Sequence, residues 1–274
     1  MLKFIITILF SLFISACLSA APDSTLKLKL QAKYLEVITD FTTDNLDNIY
    51  LVTASNQIKK VNEQGDSLAV YNDVRRYGNI SSIDASNPLK VLVLYKDFST
   101  IVVLDRLLNV RNTIDLRKVN ILQVRAATPS YDNKIWLFDE LESKLKKIDD
   151  NGRVVMESVD FRQAFDVAPS PEIMFDRDGE LYLYDRKKGL LVFDYYGAQK
   201  KKHTLPEMND LQVLDKNTVT GHDSTRILLY KPSTFLLYSF IAFSKPADYK
   251  KIHFNDKKVY ALTREGQLEL YFVQ

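Results

Sequence analysis

Cysteine is almost missing from this 274-residue chain: Cys17 is the only one. One thiol cannot close a disulfide within the chain, so the folded domain must rely on its core alone. Histidine is scarce too, limited to His203, His222 and His253. No two of them stand at metal-ligand spacing, and none lies in a Gly-x-Ser-x-Gly context or beside a plausible nucleophile. Eight glycines are spread so thinly that no glycine-rich phosphate loop occurs. An excess of one charge is also lacking. A formal net charge of +2 argues against a nucleic-acid binder. Beyond the N-terminus there is no long apolar run, hence no second candidate membrane span.

What the chain has in quantity is Phe and Tyr, fifteen of each. Aromatic residues suit a pleated, half-buried surface, so many strands are expected. The N-terminus stands apart. In "MLKFIITILFSLFISACLSAAPDS", Lys3 precedes an apolar run from Leu2 to Ile14 broken only by Thr7 and Ser11. That length suits the core of a signal peptide and is short for a permanent span. The segment ends Ile14-Ser15-Ala16-Cys17, which resembles the bacterial lipobox, where the cysteine becomes the acylated N-terminus. Cleavage after Ala20 or Ala21 is the competing reading. It would discard Cys17, but it would leave Leu18 badly suited at the −3 position or Pro22 as the first residue. The lipobox reading divides the chain into a lipoprotein-type signal peptide at 1–16, a tether at 17–25 and a folded domain at 26–274. Several acyl chains give stable anchoring where one does not. After Cys17 there is no acidic cluster of the kind that marks surface-exported lipoproteins of the Bacteroidetes type. The expected address is therefore the bacterial envelope, on an outer membrane and facing the periplasm.

The rest of the chain repeats. "DNIYLVTASNQIKKVNEQGD", "LKVLVLYKDFSTIVVLDRLLNV", "NKIWLFDELESKLKKIDDNGRV", "GELYLYDRKKGLLVFDYYGA", "TRILLYKPSTFLLYSFIAF" and "KKVYALTREGQLELYFVQ" share one layout. Aligned on Tyr50, Val93, Trp136, Tyr182, Leu228 and Tyr260, they are spaced 43, 43, 46, 46 and 32 residues apart. Each unit reads as polar turn, apolar strand, polar turn, strand, then a third turn often bearing Gly65, Gly152 or Gly197. Helical periodicity is confined to a short turn around "DFRQAFDV". A multi-strand repeat near forty residues marks the blades of a β-propeller. The last unit stops after its third strand. Leu26, Leu28 and Leu30, alternating with Lys27, Lys29 and Gln31, supply a fourth. The fold expected is all-β, a six-bladed β-propeller whose last blade is closed by the N-terminal strand. The layout, exemplified by "DRDGELYLYD" followed by "GLLVFD", resembles six-bladed propellers of the NHL and TolB-like kind. That superfold serves enzymes, scaffolds and sensors alike, so the resemblance implies a shape and leaves function open.

Six segments should line the central channel: "VITDF", "SSIDA", "VRAAT", "EIMFD", "QVLDK" and "KIHFN". Asp40, Asp84 and Asp215 fall near equivalent positions, answered elsewhere by Ala127, Ile173 and His253. Three carboxylates are few for calcium, which demands many oxygens. No metal or other cofactor is therefore expected, and these residues mark only an alternative ligand- or glycan-binding, hydrolytic reading. His222-Asp223 coincides with a polar turn, and Lys200-Lys201-Lys202 with an outer loop. The favoured contact site is Arg75, Arg76 and Tyr77 in "NDVRRYGNIS", with Arg125 on the next blade, because Arg and Tyr dominate interface energetics. The composite expectation is a non-enzymatic, membrane-tethered scaffold for envelope proteins. In architecture and address alone it resembles the eight-bladed lipoprotein propeller of the outer-membrane assembly machinery.

Overall fold

The computed structural model describes residues 24–34, 36–73, 76–242 and 248–273. The leader, Cys17 and Arg75 lie outside those residues.

A two-residue strand, β1 (Ser24–Thr25), is followed by β2 (Leu28–Tyr34). Blade 1 comprises β3 (Ile38–Thr43), β4 (Ile49–Thr53), β5 (Ile58–Val61) and β6 (Ser67–Tyr71). Blade 2 comprises β7 (Ser82–Asp84), β8 (Val91–Tyr95), β9 (Thr100–Leu104) and β10 (Val110–Asp115). Blade 3 holds β11 (Val124–Pro129), β12 (Ile135–Asp139), β13 (Lys144–Ile148) and β14 (Val154–Glu157). Blade 4 holds β15 (Ile173–Arg177), β16 (Glu180–Asp185), β17 (Gly189–Phe193) and β18 (Gln199–His203). Blade 5 runs β19 (Asn209–Asp215), β20 (Thr218–His222), β21 (Ile227–Lys231) and β22 (Leu236–Ile241). Blade 6 is β23 (Tyr249–Asn255), β24 (Lys258–Thr263) and β25 (Leu268–Val273), with β2 antiparallel to β25 as its fourth strand. This is an all-β, six-bladed propeller. Among the described residues the α-helix is one turn, α1 (Phe161–Ala164), preceded by Asp160, whose side chain accepts from the Arg162 N–H.

Turn chemistry cuts the strands to length. In the "DRDGE" hairpin Asp178 and Gly179 have φ of 50° and 82°, the pair of positive values a two-residue hairpin turn needs. The aspartates do most of the capping. Asp105, Asp149 and Asp194 each accept two backbone N–H bonds from residues two and four positions on. Between the turns, β4, β8 and β12 are buried at every position, so they read as unbroken apolar runs rather than alternating ones.

The core is a ring of apolar clusters, each shared by two neighbouring blades. Trp136 and Phe138 of blade 3, for instance, meet Leu181, Leu183 and Phe193 of blade 4. Burying one such side chain stabilises by about 1.5–3 kcal/mol. Ring closure uses Tyr260, Leu262, Leu268 and Leu270 against Ile38, Phe41, Ile49 and Leu51. The blade 5–6 contact is thinner: Ile227 meets Ile252, Phe254, Val259 and Ala261.

The fifth unit departs from the sequence reading. Leu228, aligned there with the second strands, sits on the third strand, β21. The true second strand is β20, where Thr220 pairs with Gln212 on one side and Leu229 on the other. Its sequence, Thr-Val-Thr-Gly-His, is too poor in large apolar residues to read as a buried strand, although four of its five residues are buried. Two further details differ. Lys200-Lys201-Lys202 lies within β18, not in a loop. On β2 the alternation is broken by a bulge between Leu30 and Ala32. Leu28 packs against the blade 5–6 cluster, Ala32 and Tyr34 against the blade 6–1 cluster, and Leu30 is left exposed.

Candidate functional site

The innermost strands β3, β7, β11, β15, β19 and β23 surround a central cavity of about 550 Å³. All six segments read as channel-lining belong to them. Because every blade is an antiparallel meander, the starts of these strands share one face with the blade-to-blade connections. We call it the top face.

The three sequence-nominated aspartates occupy separate surroundings. Asp40 accepts Lys251 Nζ at 2.7 Å and the Phe41 N–H at 2.8 Å. Asp84 lines the cavity, where it accepts the Ser86 N–H at 2.9 Å and Thr128 Oγ1, from blade 3, at 2.7 Å. Asp215 is exposed at the far end of β19 and caps its own hairpin through the Asn217 N–H at 2.6 Å. Each carboxylate is thus engaged in a different task. Among the described residues no three His, Cys, Asp or Glu side chains converge as a metal site.

A polar network that the sequence reading did not assemble occupies the blade 5–6 wall. Gln212 Oε1 accepts the Phe254 N–H at 2.7 Å, and its Nε2 donates to His253 Nδ1 at 2.7 Å. His253 Nδ1 is then the acceptor, so Nε2–H donates to Thr43 Oγ1 at 3.0 Å, across to blade 1. Part of the His253 surface faces the cavity, yet the ring sits deep in the wall. Burial, aided by the Lys251 charge, pushes its pKa down to about 3, so it is neutral. Asp210 Oδ2 accepts His222 Nε2 at 3.0 Å and the Ile252 N–H at 2.8 Å. Burial opposes charge on His222, but the Asp210 carboxylate and the Asp223 carbonyl outweigh it and raise its pKa. His222 is therefore a buried strand residue rather than a turn residue. The turn belongs to Asp223, which accepts the Thr225 and Arg226 N–H groups. The signal in the sequence was His253 standing where other blades offer aspartate, alanine or isoleucine.

Around blades 1–3 the top face is different. The exposed Arg76 guanidinium lies 5.7 Å from the ring centroid of Tyr77, whose ring tilts against buried Tyr95 at 5.3 Å. Next to them Gly78 lies against the ring of Phe98, which is 43% exposed. Ser99 Oγ donates to the Leu122 carbonyl at 2.6 Å, and the Leu122 side chain is 58% exposed. Arg125 is the second residue of β11, just beyond; its Nε is buried without a hydrogen-bond partner. Lys96 is near enough that its pKa is lowered, first by burial and then by the Arg125 charge. Of the nominated residues, Arg76, Tyr77 and Arg125 thus belong to one stretch of surface. Phe98, Leu122 and Lys96 complete it, and no sequence motif marked them.

Many solved structures share the architecture. One is a catalytically inactive variant of virginiamycin B lyase from Staphylococcus aureus, solved with quinupristin: TM-score 0.64, 11% identity, 90% of this chain and 100% of that one covered. The Swd1 β-propeller domain of Myceliophteria thermophila gives 0.61 at 8% identity, over 90% and 100%. A protein of unknown function from Bacteroides caccae gives 0.52 at 11% identity, over 73% and 80%. What they share with this chain is the fold. No family model matches the sequence. No curated protein matches it either.

Proposed function

We propose that this chain is a non-enzymatic protein-interaction scaffold of the bacterial cell envelope. Residues 1–16 export it, an acylated Cys17 tethers it to a membrane facing the periplasm, and no nucleic acid or cofactor is involved. The observation that carries the scaffold reading is the continuous top-face patch of Arg76, Tyr77, Phe98 and Leu122. Arginine and aromatic residues are enriched at protein interfaces, and a ring already packed on Tyr95 loses little freedom on binding. Lys96 and Arg125 behind the patch add positive charge, so the partner surface that fits is apolar with an acidic rim. The polar groups of the channel wall support the same reading. Asp40, Asp210, Gln212 and His253 are spent joining blade to blade, which makes the disc rigid.

A second reading rests on the central cavity. At about 550 Å³ it is of a size that holds a small ligand. On this reading Asp84 is the carboxylate that faces the ligand.

One comparison separates these readings. Envelope proteins are cross-linked in native membranes to the wild type, to Cys17→Ala, to the double variant Arg76→Glu/Tyr77→Ala, and to Asp84→Asn. The scaffold reading expects the Cys17 variant to leave the membrane. It expects the double variant to lose its partners while remaining anchored, and Asp84→Asn to keep them. Partners retained by the double variant and lost with Asp84→Asn would sink the top-face assignment.

A further inference from the structure

The top-face end of blade 3 holds two buried polar atoms with opposite needs. Arg125 Nε has a hydrogen to give and no acceptor, while Glu140 Oε2 has lone pairs and no donor. Buried polar groups are nearly always hydrogen-bonded, so an orphan of each kind marks a place where a ligand supplies the bonds. The fold brings the two residues to one spot. Asp139, the last residue of β12, pairs with Val124, and the Glu140 N–H donates to the Gln123 carbonyl at 2.9 Å. The fold also keeps their side chains from satisfying each other. Pairing shifts between Val124 and Ala126, which leaves Arg125 as the extra residue of a bulge, a device that re-aims the side chain it carries. Glu140 is held from the other direction, because its Oε1 accepts Ser170 Oγ at 2.7 Å. Among the described residues the Arg125 guanidinium makes no hydrogen bond or ion pair.

Two neighbours complete the charge pattern. Lys96 follows β8, its backbone N–H donates to Ser81 Oγ at 3.0 Å, and it lines the central cavity. The charges of both Arg125 and Glu140 act on its ammonium, which has no hydrogen bond or ion pair among the described residues. Glu172 also stands at this mouth of the cavity, but Arg186 already takes it at 3.1 Å. What remains is two cations, Lys96 and Arg125, and one carboxylate, Glu140. The ligand that balances them carries two carboxylates and one ammonium.

We infer that the channel mouth at blades 2 and 3 is a binding site for an acidic α-amino acid, with its ammonium on Glu140 Oε2 and its carboxylates on Arg125 and Lys96. The guanidinium fork matches a carboxylate in shape as well as charge. Each half-buried charge of the protein then meets an opposite charge, the condition under which burying ions is tolerated. Asp84 lies at the other end of β7, so the site stands apart from the cavity reading built on that residue. It is equally independent of any protein partner at the top-face patch.

Calorimetric titration of L-glutamate into the purified full chain in detergent, with no partner protein present, reads the site. The expected result is saturable binding at one site, weakened at least about tenfold by Arg125→Ala, since a hydrogen bond between charged groups is lost. Glutarate, which lacks the ammonium, tests the assignment on the unaltered protein, where no folding defect can intrude. It should bind at least about tenfold more weakly than glutamate. Glu140→Gln should weaken glutamate to a similar degree and leave glutarate no weaker, because the carboxylate it removes only repels a ligand without an amine. No saturable heat from glutamate on the wild type overturns the inference and leaves the two orphan atoms to a bridging water. So does glutarate bound as tightly as glutamate, or an Arg125→Ala variant that binds glutamate unchanged.

Discussion

His253 and His222 both stand in the blade 5–6 wall, yet their surroundings act on them in opposite ways. The His253 pKa is pushed down by burial and the His222 pKa is raised by Asp210, so they make opposite demands on pH. A folded pKa lowered to about 3 from 6.5 means that the unfolded chain takes up a proton the folded chain refuses. The stability contributed by His253 is therefore complete above pH 6.5 and drains away as pH falls toward 3, by at most about 1.4 kcal/mol per pH unit. His222 is raised, so its contribution is complete below pH 6.5 and fades as pH climbs through its folded pKa. Urea midpoints measured across this range should show His253→Gln with a shallower acid slope than the wild type. His222→Gln should lose most on the acid side. Equal slopes for His253→Gln and wild type would mean that the ring is free to protonate in place. The aspartates carry a related lesson. Asp44, Asp139, Asp185 and Asp215 accept backbone N–H groups in turns, which occupies their oxygens before any ligand arrives.

At the scale of the strand and its turn, one backbone conformation is filled by three kinds of residue. Gly65, Gly152 and Gly197 enter the outer strands of blades 1, 3 and 4 with φ between 79° and 88°. Leu108 does the same in blade 2 and Phe235 in blade 5, at 61° and 59°. Left-handed backbone costs a residue with a Cβ about 1–2 kcal/mol. Leu108 offsets this by full burial against Val93, Val102 and Tyr95. Phe235 stays 71% exposed, with its ring tilted against that of His203 at 5.6 Å. The same substitution should therefore have opposite signs at the two turns. Phe235→Gly is expected to stabilise the protein by about 0.5–1 kcal/mol. Leu108→Gly is expected to destabilise it by about 2 kcal/mol, because the lost burial exceeds the relieved strain. Denaturant midpoints of the two variants test both signs at once.

Across the whole molecule the ring is only as strong as its thinnest joint. Among the described residues, five buried apolar side chains form the blade 5–6 cluster, against ten or eleven in each of the others. Hydrogen bonds replace what apolar area does not provide there. Gln212 alone serves the Phe254 N–H, the Phe254 carbonyl and His253. Gln212→Ala leaves the buried Phe254 amide unpaired, so a loss of about 2–3 kcal/mol is expected. Native-state hydrogen exchange should find β23 opening before β12 in the wild type, and sooner still in the variant. Exchange that begins instead at the β2–β25 pair would put the weak joint at the clasp of the chain ends.

The sequence by itself determined the blades. Turn residues, apolar strand centres and their spacing act over a few positions, so Tyr50, Val93, Trp136, Tyr182 and Tyr260 could each be assigned to a second strand without knowing what they touch. Blade 5 escaped that logic at β20, because a strand made of Thr, Val, Gly and His is buried by its neighbours rather than by its own hydrophobicity. Tertiary structure alone decided which polar groups meet. Thr43 and His253 are 210 positions apart and hydrogen-bonded. Asp40 finds Lys251, and Phe98 comes to lie beside Gly78. Closing a ring brings its first and last blades together regardless of the chain between them, and no local pattern encodes which side chain will stand at that seam.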